Sequence, residues 1–161
     1  MSNTKKICIA GVVMAMYVAT MFVTQGFASG EVQIRIATSF YALSYCFPFL
    51  VLPLALANSL SNFLFSPLGM LDVVGGFFVG LVTAGAIYFV RRFKLPSFIV
   101  IPIIILCPAL IVPIWLSYLI NVPYVALVGS LLLGQLTPAI VGYFMIFYVR
   151  QNVIKGLKLN A

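Results

Sequence analysis

Apolar runs of about 20 residues recur along the whole length of this chain, and that recurrence constrains the fold more than any motif. A run of that length crosses a bilayer core of about 30 Å as one helix, at about 1.5 Å per residue. One water-soluble core built from 161 residues cannot bury all of these runs. Only 7% of the residues are charged, against roughly 25% in a soluble domain. The sequence therefore predicts an all-α integral membrane protein, with residues 1–161 forming one transmembrane domain. Lys5, Lys6 and the apolar run from Ile7 also have the outline of a signal peptide. We read them as the start of a first transmembrane helix.

The few charges set the topology. Basic residues cluster at Lys5–Lys6, at Arg91, Arg92 and Lys94, and at Arg150, Lys155 and Lys158. The positive-inside rule places all three clusters in the cytoplasm, so an even number of spans joins each to the next. The block Ile34–Phe65 is too long for one helix, and one helix there leaves the count odd. A break near Pro48 and Pro53 divides it in two. The spans then run roughly 7–24, 34–47, 49–65, 71–90, 97–120 and 124–148, with the turn Asn121–Val122–Pro123 before the last. Six spans put both termini in the cytoplasm.

Several functions are excluded. The net charge of +7 lies in span-flanking clusters, with no basic stripe interleaved by aromatics, so nucleic acid is not a partner. The chain has no His, and Cys8, Cys46 and Cys107 lie in apolar runs without metal-ligand spacing. They read as packing residues, and no metal or cofactor is expected. No paired carboxylates, nucleophile elbow or nucleotide-binding motif occurs. The chain is not expected to be an enzyme, and ATP-driven work would need a partner.

The topology gathers Glu31, Asp72 and Arg35 on the outer side, that is, both acids and the ninth cation. Arg35 stands in the stretch VQIRIATSF. It either bridges to Glu31 or Asp72, anchoring the outer loop, or turns its guanidinium toward a ligand. The loop Gln25–Gln33, with Gly26, Ser29 and Gly30, is a candidate gate over a site between helices.

Other polar residues carry two readings each. Asn58 and Asn62 share one helix face and either bond a neighbouring helix or line a ligand face. Asp72 either caps a helix N-terminus or meets a cationic group. Gln135 bonds across the bundle or to a solute. Trp115, Tyr118 and Tyr124 form an aromatic belt or stack on a planar ligand. Gly11, Ala15 and Ala19, four apart, form a flat stripe for a helix of the same bundle or of another protein.

The runs QIRIATSF and NFLFSPLGMLDVVGG resemble the QueT family, substrate-binding S-components of energy-coupling-factor (ECF) transporters. Gln33, Arg35, Ile36, Asn62, Leu68, Gly69 and Asp72 stand at the family's motif positions, and the resemblance covers roughly residues 26–86. It implies a six-helix S-component in a prokaryotic cell membrane, surrounded by lipid. It also implies a transmembrane coupling protein and two cytoplasmic ATPases as partners. The small-molecule substrate implied is a queuosine precursor, queuine or a related deazaguanine. Gly11, Ala15 and Ala19 match the family's docking stripe. Thr38 and Gln135 stand where the family has acids; they offer hydrogen bonds without a counter-charge, which also admits queuosine itself. Together with the residue chemistry, this gives a candidate binding set of Arg35, Thr38, Tyr41, Asn58, Asn62, Asp72 and Gln135, with Phe40 and Tyr45 also placed to stack and Glu31 and Gln33 in the gate. The alternatives are an S-component for another vitamin-like solute or a gradient-driven transporter. The latter usually needs an ionisable relay in mid-membrane, and none is evident.

Overall fold

The computed structural model describes residues 1–28 and 34–154. Every described element is helical: α1 (Asn3–Ala28), a 3-10 segment (Ile36–Ala42) running into α2 (Leu43–Cys46), α3 (Val51–Phe65), α4 (Met70–Arg92), α5 (Val100–Ile111), α6 (Pro113–Ile120), α7 (Tyr124–Gly134) and α8 (Leu136–Tyr148). Five helical stretches are long and apolar enough to cross a membrane: Asn3–Gly26, Pro48–Phe65, Met70–Arg92, Ser97–Ile120 and Tyr124–Asn152. Large apolar side chains such as Val23, Phe63 and Val125 face outward, as expected of a lipid-facing surface.

α1 is longer than its hydropathy predicts. Thr20 and Thr24 turn their hydroxyls back to the Met16 and Thr20 carbonyls at 2.8 and 2.7 Å, so no donor is left unmatched in lipid. The helix continues through Gln25 and Gly26, which were expected in the gate loop. Ser29, Gly30, Glu31 and Gln33 lie outside the described residues.

The expected second span is the main departure. Only eleven residues are helical there, seven in 3-10 geometry. Such long 3-10 runs are uncommon. The reason lies in its surroundings. Ala37 through Ala42 are all buried, so this strip has no lipid-facing side. On one side α8 comes so close that a Cβ at Gly142 would lie 3.0 Å from the Ser39 carbonyl oxygen. With rises of about 2.0 Å per 3-10 residue and about 1.5 Å per α residue, the strip covers about 20 Å. It starts beside α3, where Arg35 bonds Asn62. It ends beside the foot of α4, where Arg91 donates to the Tyr45 and Cys46 carbonyls at 3.1 and 2.6 Å. Phe47 then leaves helical geometry before Pro48, at φ −128° and ψ 89°, and breaks the helix where the sequence predicts. Pro53 makes no break. It is the third residue of α3, where a backbone N–H has no intrahelical acceptor to lose.

α3 and α4 form the tightest helix pair. A Cβ at Gly80 would lie 2.8 Å from the Ala55 Cα, so the backbones nearly touch. Above this contact, three α3 side chains bond α4 carbonyls: Asn58 Nδ2 to Gly76 O at 2.7 Å, Ser59 Oγ to Val73 O at 3.0 Å and Asn62 Nδ2 to Asp72 O at 2.8 Å. Close backbone approach and interhelical hydrogen bonds hold helices together where lipid provides no hydrophobic drive. Cys46 is buried as expected of a packing residue, whereas Cys8 faces outward.

Candidate functional site

One end of the bundle contains a cavity of about 540 Å³. It opens where α1 and α3 finish, α4 begins, α6 finishes and α7 begins, as its lining by Gln25, Phe65, Leu68, Ile120 and Ala126 records. Lys5, Lys6, Arg91, Arg92 and Arg150 belong to the opposite helix ends. Most of the wall is apolar, with Met21, Val112, Leu116, Leu127 and Leu131 joining two packed clusters of the core.

Arg35, Asn62 and Asp72 supply the polar centre of this wall. Arg35 sits just before the 3-10 segment, Asn62 in the last turn of α3, and Asp72 in the first turn of α4. The guanidinium Nη2 donates to Asn62 Oδ1, and Asn62 Nδ2 donates to the Asp72 carbonyl at 2.8 Å. The Asp72 carboxylate is held separately, by the Trp115 indole N–H at 3.1 Å. Arg35 and Asp72 thus face one cavity without a direct salt bridge, and a carboxamide stands between them. Of the two readings of Arg35, the bridge to Asp72 is therefore not formed; Glu31, the other partner in that reading, lies outside the described residues. Arg35 Nε is buried and has no partner among the described residues.

Among the described residues, the other expected binding residues do not line the cavity. Tyr41 is fully buried, with its hydroxyl 3.2 Å from that of Tyr17, and Phe40 packs on the same Tyr17 ring. Both spend their rings on the core and not on a ligand. Tyr45 is half-buried and contributes its carbonyl to Arg91. Asn58 bonds the Gly76 carbonyl, which is the interhelical alternative. Thr38 Oγ1 lies 2.7 Å from the Arg35 carbonyl and 2.8 Å from Gln135 Oε1. Its single hydrogen serves one of these at a time. Thr38 and Gln135 therefore tie the 3-10 segment to the α7–α8 break behind the cavity wall. Gly11, Ala15 and Ala19 all lie on the exposed face of α1, and an added Cβ at Gly11 meets nothing within 4 Å.

Several lining residues escaped the sequence reading, among them Met21 and Ser130. A signal existed for Ser130: Leu127, Ser130 and Leu131 recur at helical spacing and so share one face. Trp115 was read as belt or stacking residue, but it is tied to Asp72. Tyr118, three positions on, is 80% exposed and fits the belt.

The family model described as QueT transporter matches residues 7–151. The chain belongs to the QueT transporter family. The resemblance read from residues 26–86 is borne out and extended to nearly the whole chain. No curated protein and no solved structure matches it. QueT membership makes this a transport protein, in keeping with its apolar helices. The QueT match includes every residue that lines the cavity.

Proposed function

We propose that this chain is the substrate-capture component of an ECF-type importer, taking up queuine, a related deazaguanine or queuosine. The observation that carries this reading is the cavity. A transporter-family chain poor in charge commits one cation, one anion and a carboxamide to a single apolar chamber. A small polar heterocycle needs such a chamber, with a few fixed donors and acceptors in an apolar wall. Arg35 offers its planar fork to carbonyl or ring acceptors, and Asp72 accepts from N–H groups or an amine. Asn62 holds the first and braces the second. Thr38 and Gln135 act from behind the wall, keeping the Arg35 segment in register with α7 and α8, while Tyr41 and Asn58 fix the packing around it. Glu31 and Gln33 belong to the loop that gates the chamber.

The topology in this reading is six crossings, with the 3-10 strip as a short second crossing and both termini cytoplasmic. Every described basic cluster then lies inside, and the chamber opens outward in a prokaryotic cell membrane. The chain has no nucleotide-binding motif, so a transmembrane coupling protein and two cytoplasmic ATPases drive release. Gly11, Ala15 and Ala19 form the docking stripe for the coupling protein.

Calorimetric titration of the purified protein with queuine, its deazaguanine precursors, queuosine and unrelated vitamins tests the substrate. Saturable binding of at least one deazaguanine is expected; binding of none removes the assignment. The docking role has its own test. Gly11→Leu leaves solute binding unchanged, because position 11 faces outward and a Cβ added there meets nothing within 4 Å, and abolishes co-purification with the coupling protein. Undiminished co-purification sinks that role.

A further inference from the structure

Trp115 is the single tryptophan of the chain and does not line the cavity. Its indole N–H nevertheless donates to Asp72 Oδ1 at 3.1 Å, and Asp72 is only 6% exposed. The six-membered ring fills the volume beside Gly75, where an added Cβ would lie 2.6 Å from Cε2 and Cζ2 of Trp115. Asp72 and Gly75 are three residues apart on α4, so they share one face, and one indole covers both. A carboxylate among apolar side chains keeps its direction only through donors placed on it. With one oxygen tied to α6 and its own carbonyl tied to Asn62, the carboxylate meets the cavity in one fixed orientation.

We propose that Trp115, lodged against Gly75, is a positioning residue for Asp72, and that this fixed carboxylate makes the site favour a ligand bearing a cationic amine over the same ligand with a neutral group in its place. The proposal rests on the reading of the cavity as a deazaguanine site. The adjacent glycines of α4 then have separate duties: Gly76 clears Asn62, while Gly75 clears Trp115.

The test uses the full-length protein and two probes, a 7-deazaguanine carrying an aminomethyl group and the same base carrying a nitrile. Wild type prefers the aminomethyl base. Trp115→Phe keeps a ring beside Gly75 but has no N–H, and it lowers that preference about tenfold, the effect of one hydrogen bond to a charged group. Gly75→Ala, which leaves the indole intact but takes its space, reproduces the loss. Asp72→Asn lowers the preference at least as far, and adding Trp115→Phe to it lowers it no further. A structural role alone weakens both probes equally and keeps their ratio, and that result overturns the proposal. A ligand-free measurement stands beside it: Asp72→Asn shifts the emission maximum of Trp115, and unchanged emission refutes the contact. Should wild type bind neither probe, the amine preference falls, the titration with queuine and queuosine still decides the deazaguanine reading, and the emission comparison still decides whether Trp115 holds Asp72.

Discussion

Replacing Gly80 by valine forces α3 and α4 apart and lowers the stability of the bundle by about 3 kcal/mol, the upper range for overpacking a tight contact. A single Cβ at this position already lies 2.8 Å from the Ala55 Cα, and backbone cannot swing aside as a side chain does. The effect extends beyond packing. Asn58, Ser59 and Asn62 reach α4 carbonyls only at the present helix separation. The variant therefore loses solute binding as well as thermal stability. Gly85→Val on the same helix is the control, because a Cβ there meets nothing within 4 Å. Thermal unfolding of the two variants in the same detergent checks the difference, and equal midpoints contradict the account of α3–α4 packing.

The second large effect is at Asn62. Its carboxamide uses both ends, accepting from Arg35 and donating to the Asp72 carbonyl. Asn62→Ala removes both bonds and leaves the part-buried guanidinium without its side-chain partner. Leaving one end of a charged hydrogen bond unmatched costs about 2 kcal/mol, so affinity for a deazaguanine falls about thirtyfold. Stability falls less, since interhelical hydrogen bonds in membranes contribute about 0.6 kcal/mol on average. Titration paired with thermal unfolding separates the two. Lost affinity with a small shift in midpoint is the expected pattern, and unchanged affinity contradicts the role of Asn62 as the brace between the Arg35 guanidinium and the Asp72 backbone.

Hydropathy and charge made the helices legible, together with the break at Phe47–Pro48 and the gathering of Arg35 and Asp72 at one end. Those features depend on which residues avoid water, and that is what composition along a chain records. Facing was not legible. In a membrane both the lipid side and the protein side of a helix are apolar, so Tyr41 in the core and Phe63 on the surface read alike. Contacts distant in sequence were hidden for a further reason. Thr38 and Gln135 are 97 residues apart, and nothing local to either predicts the other. The 3-10 strip was missed because its geometry follows from being enclosed on all sides, which small residues such as Ala37, Ser39 and Ala42 permit but do not announce. Gly80 was equally silent, since its meaning lies in the Ala55 backbone it meets. Asn58 could be read two ways from sequence, and only the carbonyl of Gly76 decides for packing.

Arg35 lines the cavity, and its proposed role is to read the solute. Calorimetry of wild type and Arg35→Met with the same deazaguanine tests it most directly, because methionine keeps the apolar stem and removes only the guanidinium. Wild type is expected to bind saturably at one to one, and the variant to lose at least about tenfold in affinity with only a small drop in unfolding midpoint from the lost bond to Asn62. Equal affinities would contradict that role and leave Arg35 as a structural cation at the end of the bundle.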